Sequence, residues 1–243
     1  MLNELSKDLK IPTHVAIIMD GNRRWARSHG FKDIEGHKKG VERIKELVKY
    51  TARLGVKSIT FWAFSTENWT RDRSFLKDIF WLFRHVLNER EDFFDDLVKS
   101  GGQIHILGDI NKFPKDIVKK INNYLSLPGP KKKTINVNFA LNYGGRDELI
   151  RAFKKILEDG HSSHDVNVDL VNQYLDTAGQ SDVDLLIRTG GELRTSGFLL
   201  WQTNYAEFYF SKTFFPDFGK EEFEKALEDY SLRDRRFGGN TKS

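Results

Sequence analysis

The sequence predicts an α/β fold built around a parallel sheet, because short apolar runs alternate along the chain with longer segments of helical periodicity. Turns rich in glycine and polar residues follow several of the apolar runs. Consecutive parallel strands are joined by right-handed crossovers, so these turns collect at one edge of the sheet. Ligands of such sheets bind at that edge, which is where we expect the functional site.

The first half of the chain contains three predicted strands and two helical regions. Residues 14–19 (HVAIIM) predict a buried strand that stops at Asp20-Gly21. Helical periodicity begins at Asn22 and is clearest over residues 40–54, after which Gly55 is suited to cap the helix. Residues 57–64 predict a second strand, residues 75–98 one long helix, and residues 103–107 a third strand.

The second half continues the alternation. Strands are predicted over residues 134–141, 182–187 and 207–210, and helices over residues 146–158 and 220–230. Glycine pairs at residues 144–145 and 190–191 follow the strands predicted over residues 134–141 and 182–187. No repeat and no long linker divides the chain. We therefore expect a single domain over residues 1–243, with flexible ends at residues 1–11 and 238–243.

Composition excludes several classes of protein. The 243 residues contain no cysteine, which excludes disulfides and thiolate metal sites and favours a reducing, cytoplasmic location. No apolar run approaches the roughly 20 residues of a membrane helix, and the N-terminus lacks the apolar region of a signal peptide. The net charge of +4 is compatible with an anionic substrate or a peripheral contact with an anionic lipid surface. The 19 Phe, 5 Trp and 7 Tyr suit a protein that lines a large apolar cavity.

The first candidate site follows the first strand and reads DGNRRW over residues 20–25. Glycine allows close approach to the backbone, and N–H groups at a helix start, reinforced by Arg23 and Arg24, bind anions. Asp20 could hold Mg²⁺ against a diphosphate, since Mg²⁺ prefers a few carboxylates together with phosphate oxygens. The alternative is an aspartate that caps a helix beside solvated arginines.

Two further candidates follow later strands. Residues 65–71 (STENWTR) suggest a polar substrate network; a helix-capping box is the alternative, although Thr66, Glu67 and Trp69 do not match its spacing well. In residues 188–196 (RTGGELRTS) two arginines flank a glycine pair, which suits a nest for a second diphosphate. Glu207 is a candidate second Mg²⁺ ligand, or else an exposed glutamate at a strand start.

Together these segments resemble the cis-prenyltransferase family of undecaprenyl diphosphate synthases. The resemblance rests on ordered motifs between residues 12 and 239: HVAIIMDGNRRWA, GHKKG, FSTENWTR, NYGGRDEL, IRTGGELRTS, FLLWQTNYAEFYF and RDRRFGG. It implies a six-stranded, mainly parallel sheet surrounded by helices, an apolar tunnel and a homodimer. It also implies that the terminal Arg236-Phe237-Gly238 reaches the neighbouring subunit's site.

The resemblance implies an Mg²⁺-dependent enzyme that condenses isopentenyl diphosphate onto an allylic diphosphate such as farnesyl diphosphate, giving a Z-polyprenyl diphosphate. Asp20 would bind Mg²⁺ and promote ionisation, Glu207 would help to place the metal, and Asn68 and Ser65 would assist condensation and proton removal. The residues implied for the allylic diphosphate are Gly21, Asn22, Arg23, Arg24, Trp25, His37 and Arg71. Those implied for isopentenyl diphosphate are Arg188, Arg194 and Ser196.

The product tunnel is predicted along the second strand and the long helix. Strand alternation puts Ile59, Phe61 and Ala63 on one face, and the small Ala63 leaves room beside the turn at Ser65. On the helix, Phe83 and Val86 belong to an apolar stripe at helical spacing. Core packing explains most of these residues equally well.

Several positions depart from the family pattern. Leu193 stands where many bacterial members carry histidine, and Asp33 where many carry a diphosphate-binding arginine. Asp72 replaces a proline, Phe75 a glutamate and Arg23 a glycine. These departures leave the diphosphate contacts and the product length open.

Other functions have less support. A HAD-like phosphatase also places Asp at a strand end, but Asn22 stands where its second Asp belongs. An inactive accessory subunit is disfavoured because Asp20, Arg188, Arg194 and Glu207 are all present. A nucleic-acid-binding module is disfavoured because aromatic residues are not interleaved with a basic stripe. Walker A, GxGxxG and DDxxD motifs are missing from the sequence.

Overall fold

The computed structural model describes residues 9–88, 91–236 and 239. Its centre is a six-stranded sheet with strand order β3-β4-β2-β1-β5-β6, in which every pairing is parallel. The strands are β1 His14–Ile18, β2 Ser58–Ser65, β3 Gly102–Leu107, β4 Ile135–Tyr143, β5 Leu185–Arg188 and β6 Glu207–Phe210. The predicted α/β class with a six-stranded parallel sheet is confirmed.

Helices cover both faces of this sheet. They are α1 Asn22–Ser28, α2 Asp33–Leu54, α3 Arg73–Asn88, α4 Glu91–Lys99, α5 Lys115–Ser126, α6 Gly145–Glu158, α7 Val168–Tyr174 and α8 Lys220–Leu232. Gly55 caps α2 in the left-handed conformation, with φ of 89°, as predicted.

The apolar runs become strands because a parallel sheet is buried on both faces. All five residues of β1 are buried, as are all nine of β4. Val15 and Ile17 join the larger core, which packs the sheet against α2 to α5 and α8, whereas Ala16 and Ile18 join a smaller core on the opposite face. The larger core is the face on which the cavity described below opens.

The helix boundaries differ from prediction in three places. The helix predicted over residues 75–98 is two helices, α3 and α4, and residues 89–90 lie outside the described chain. Helix α2 begins at Asp33, seven residues before its clear periodicity. Helices α5 and α7 are not predicted: α5 buries only Ile117 and Ile121, and α7 has seven residues, so neither has a long apolar stripe.

A bulge in β2 also departs from the predicted alternation. Trp62 pairs with Ala140 and Phe64 pairs with Leu141, so Ala63 is an extra residue in β2. As a result Phe64 joins Ile59 and Phe61 in the larger core. Ala63 packs against that same core.

The chain ends add two facts. Lys10 N–H donates to Ser231 Oγ over 2.9 Å, and Leu9 and Ile11 pack on the larger core. The remaining ends predicted to be flexible, residues 1–8, 238 and 240–243, lie outside the described residues. Over the portion of the chain that is described, no helix combines the length and apolarity needed to span a bilayer.

Candidate active site

A cavity of about 800 Å³ opens at the carboxyl ends of β1, β2 and β5. Its mouth is polar and its interior apolar. Six arginines line it: Arg23, Arg24, Arg27, Arg71, Arg188 and Arg194. Two carboxylates, Asp20 and Glu67, and the imidazole of His37 lie among them. This excess of positive charge suits an anionic group at the mouth of an apolar channel.

Asp20 lies just beyond the end of β1 and is held by three donors. Its Oδ1 accepts from the Gly21 N–H over 2.7 Å and from Arg24 over 3.2 Å. Its Oδ2 accepts from Arg188 over 3.0 Å. The carboxylate is about one-third exposed, so it faces the cavity while its orientation is fixed.

Gly21 is required by its surroundings. Its φ is +101°, and a Cβ here would lie 2.5 Å from the Phe214 ring. Asn22 begins α1 and donates from its side chain to the Met19 carbonyl, while its buried Oδ1 has no hydrogen-bond partner among described atoms. The chain therefore makes a tight turn at Gly21, beside the cavity in which a ligand would bind.

The loop after β5 forms the other side of the mouth. Gly190 and Gly191 both have φ of +84°, and Ser196 has φ of +51°, which is uncommon for a non-glycine residue. Arg188 is 5% exposed and donates to the Arg194 carbonyl and to Ser196 Oγ. Its buried Nε has no partner within the described structure. An unpaired buried donor beside this cavity is what a bound anion would satisfy.

The turn after β2 is a capped 3-10 helix. The Ser65 N–H donates to Asn68 Oδ1 over 2.9 Å, and Ser65 Oγ accepts from the Glu67 N–H. A capping box is therefore present with Asn68 as the reciprocal residue, and the expectation that the spacing fits poorly was wrong. Ser65, Glu67 and Asn68 nevertheless line the cavity.

His37 and three neighbours form the helical side of the mouth. The guanidinium groups of Arg23 and Arg71 lie over the ring of Phe75, 6.0 and 4.7 Å from its centre. Burial, together with the charges of Arg23 and Arg71, lowers the pKa of His37 to about 4. The imidazole is therefore neutral at physiological pH and can accept as well as donate a hydrogen bond.

The interior of the cavity is apolar. Ala63 on β2 and Phe83 and Val86 on α3 all line its wall. Deeper side chains come from four other elements: Phe93, Phe94, Ile104, Ile106, Ile121, Tyr124, Leu125 and Phe139. Phe94 stacks on Tyr124 with ring centres 4.6 Å apart. Such a lining accepts a hydrocarbon chain and excludes water from it.

Two candidate residues are not brought to the cavity. Trp25 donates to Asp217 over 2.8 Å and stacks on His29, and it is absent from the cavity lining. Glu207 is in register with Leu185, which is in register with Val15. Asp20 lies five residues beyond Val15, so the two carboxylates are separated by roughly 16 Å along the strands. Within one chain Glu207 instead accepts from Arg233 over 2.8 Å.

Sequence reasoning missed Arg27 and the deep residues of β3, β4 and α5, whereas Phe93 and Phe94 lie within the long helix that was predicted to line the tunnel. Arg27 lies one helical turn after Arg23, so i, i+4 spacing could have identified it. For the deep residues of β3, β4 and α5, only the high aromatic content of the sequence was a hint.

The donor set at the mouth fits a metal that is held partly by substrate. No group of three or more His, Asp or Glu side chains that could hold a metal occurs among the described residues. Mg²⁺ requires only one or two carboxylates when phosphate oxygens complete its shell. Asp20 satisfies this requirement.

Comparison with known proteins gives matches over nearly the whole chain. Residues 18–238 match a family model described as "Putative undecaprenyl diphosphate synthase". An isoprenyl transferase of Aquifex pyrophilus is 44% identical over 230 residues, covering 95% of this chain and 97% of the relative. One from Clostridium perfringens is 43% identical over 235 residues, covering 95% and 91%.

Solved structures share the fold. Lavandulyl diphosphate synthase from Lavandula x intermedia, in complex with dimethylallyl diphosphate, superposes with a TM-score of 0.86 at 33% identity, covering 97% of this chain and all of that one. A probable undecaprenyl diphosphate synthase from Campylobacter jejuni gives 0.77 at 32% identity, covering 95% of this chain and all of its own.

Proposed function

Because the chain belongs to the undecaprenyl diphosphate synthase family and is a cis-prenyltransferase, we propose that it condenses isopentenyl diphosphate with an allylic diphosphate such as farnesyl diphosphate. The product is a Z-polyprenyl diphosphate. One observation carries the proposal: the arginine-rich mouth around Asp20 and an apolar interior suited to an isoprenoid chain belong to the same cavity. The mouth suits diphosphates and the interior suits the growing chain.

The two diphosphates occupy two sides of this mouth. The allylic diphosphate lies against Gly21, Asn22, Arg23, Arg24, His37 and Arg71, all of which line the cavity. Isopentenyl diphosphate lies against Arg188, Arg194 and Ser196, where the buried Arg188 Nε provides an unpaired donor. The binding of dimethylallyl diphosphate by the lavandulyl diphosphate synthase is consistent with an allylic diphosphate here. Trp25 supports α1 through Asp217 and has no place in this scheme.

Mg²⁺ would be held by Asp20 together with diphosphate oxygens, and when bound it supplies positive charge that stabilises the departing diphosphate. Glu207 is too distant to share this site within one chain. The arginines supply further charge to the same leaving group.

The chain's own residues then organise the condensation. The allylic C–O bond breaks with its electrons on the diphosphate, and the isopentenyl double bond attacks the allylic carbon. A diphosphate oxygen accepts a proton from the isopentenyl carbon next to the new cationic carbon, and the electrons of that C–H bond form the Z double bond. Asn68 and Ser65, which line the cavity, would assist this proton removal, and the apolar wall keeps water from the cationic carbon.

We also propose that the enzyme is a homodimer. Ile150, Phe153 and Leu157 form an exposed apolar stripe along α6, on a different side of the helix from the buried Ala152 and Ile156. A second copy of the chain would cover this stripe. Phe153→Glu should convert the dimer to monomer in sedimentation experiments, and an unchanged mass would refute this interface.

We propose that the enzyme is cytoplasmic and makes peripheral contact with a membrane surface. The reason is that its product carries a long apolar chain, which must be released into an apolar environment. The cavity that opens at the sheet edge would deliver the chain to that surface. Co-sedimentation with lipid vesicles in the presence of product would test the contact, and no enrichment over product-free protein would refute it.

A turnover assay tests the proposed function. Purified protein is incubated with farnesyl diphosphate, radiolabelled isopentenyl diphosphate and Mg²⁺, and label is counted in the organic phase. We expect label to require all three components and to disappear when a chelator removes Mg²⁺. Absence of extractable label with the complete mixture would refute the proposal.

A further inference from the structure

Asp33, the first residue of α2, binds two arginines of α1 at the mouth of the cavity. Arg27 donates to both carboxylate oxygens over 2.8 Å. Arg23 approaches the same carboxylate through Nε at 3.0 Å. The two arginines are one helical turn apart, so one carboxylate ties both to the start of the next helix.

Arg23 is held from a second side as well. The ring of Phe75, in the first turn of α3, lies beneath the guanidinium groups of Arg23 and Arg71. Among the residues whose contacts are described, Arg71 forms no ion pair, and the terminal nitrogens of Arg23 form no hydrogen bond. These nitrogens remain available to a ligand while Nε fixes the side chain.

The negative charge of the Asp33 carboxylate by itself disfavours binding of an anion at the mouth of the cavity. Hydrogen bonding from Arg27, with the charges of Arg27 and Arg23, keeps the pKa of Asp33 below its usual range, so the negative charge persists. It cancels part of the positive charge at the mouth. An exposed ion pair of the ordinary kind contributes little to stability. Arg23, Arg27 and Asp33, together with His37, also line a side cavity of about 170 Å³.

We propose that Asp33 is a positioning residue for the allylic substrate: it orders Arg23 and Arg27 so that both guanidinium groups meet the allylic diphosphate. This inference rests on the proposed function. The order gained in the arginines outweighs the repulsion between the Asp33 carboxylate and the ligand.

The two effects have opposite signs, which makes the test decisive. Asp33→Asn removes a negative charge, so electrostatics alone would tighten binding of a diphosphate, most strongly at low salt. Loss of positioning would weaken it. The probe is farnesyl S-thiolodiphosphate, an allylic analogue that ionises slowly, and binding is measured by titration calorimetry with Mg²⁺ at two salt concentrations.

We expect Asp33→Asn to weaken binding of this analogue about tenfold at both salt concentrations, and to raise KM for the allylic substrate more than it changes kcat. Asp33→Glu, which keeps the carboxylate, should recover part of the affinity. In an Arg23→Ala/Arg27→Ala background, Asp33→Asn should have a much smaller effect, because both residues through which Asp33 acts are gone.

Asp116→Asn is the matched control. Asp116 accepts two hydrogen bonds from Arg84 in an exposed pair between α3 and α5, away from the mouth. This variant should bind the analogue like the wild type and show a similar melting temperature to Asp33→Asn. Tighter or unchanged binding by Asp33→Asn, or additivity with the Arg23→Ala/Arg27→Ala pair, would overturn the inference. Failure of the wild type to bind the analogue would instead overturn the proposed function, and this inference with it.

Discussion

Arg188 joins the carboxyl ends of β1 and β5 through Asp20, because its Nη2 donates to Asp20 Oδ2 over 3.0 Å across 168 positions of sequence. The parallel register, in which Ile18 pairs with Arg188, brings the two residues together. Arg24 balances the other carboxylate oxygen. The residue proposed to hold the metal on the allylic side therefore contacts the residue proposed to bind isopentenyl diphosphate.

Asp20→Ala should lower kcat severely while the fold is retained. The carboxylate is partly exposed and its loss opens no core cavity, but it removes the proposed metal ligand. Loss of such a group costs on the order of several kcal/mol of transition-state stabilisation. Circular dichroism and steady-state kinetics check this, and near wild-type turnover in folded protein would contradict the assignment.

Arg194→Ala should raise KM for isopentenyl diphosphate with a smaller effect on the allylic substrate. The Arg194 side chain is 60% exposed and pairs with Glu192, so its removal should not perturb the fold. A charge-assisted contact to phosphate contributes about 1.5–3 kcal/mol, which corresponds to roughly a tenfold or larger rise in KM. KM is measured separately for each substrate. A rise confined to the allylic substrate would mean that the two diphosphate sites are assigned the wrong way round.

Ala63→Leu should shorten the products without preventing the first condensation, because Ala63 lies on the cavity wall beside the mouth. Ala152→Leu is the matched control: Ala152 is 1% exposed in a separate core under α6. Overpacking the closed core costs about 1–3 kcal/mol, so Ala152→Leu should melt earlier, whereas the larger side chain of Ala63→Leu extends into the cavity. Only Ala63→Leu should change product length, and an unchanged length distribution would refute its place in the tunnel.

His37 should titrate with a pKa of about 4 in the free enzyme. Since this pKa is depressed from the unfolded value of 6.5, the unfolded chain binds the proton first as pH falls. The stability associated with neutral His37 is thus present above pH 6.5 and lost between pH 6.5 and 4. Arg23→Ala should raise the His37 pKa by removing a neighbouring positive charge. Imidazole NMR titration of both proteins checks this, and an equal or lower value in the variant would contradict it.

Local patterns in the sequence predict much of the sheet and the mouth. The strand ending at Asp20, the Gly55 cap and β6 at Glu207–Phe210 follow from apolar runs and the residues that stop them. Glu207 could have been placed more accurately, because a residue that starts a parallel strand lies at the opposite edge from one that ends a strand. Trp25 likewise lies on another side of α1 from Arg23, since residues two apart on a helix differ by about 200°.

The rest depends on contacts that local patterns do not encode. The bulge at Ala63 arises from pairing with β4, more than seventy positions later. The deep wall combines side chains such as Phe94, Tyr124 and Phe139, whose proximity is set by how α4 and α5 pack on the sheet. The Asp33 interaction needs the angle between α1 and α2, which no spacing rule supplies.

The geometry of the newly formed double bond tests the central claim most directly. Farnesyl diphosphate and ¹³C-labelled isopentenyl diphosphate are converted by the purified enzyme, and the extracted product is analysed by NMR and mass spectrometry. Cis-prenyl transfer in this cavity predicts a series of products that differ by one isoprene unit, each added unit carrying a Z double bond. Added units in the E configuration, or no carbon–carbon bond formation with both substrates and Mg²⁺ present, would contradict it.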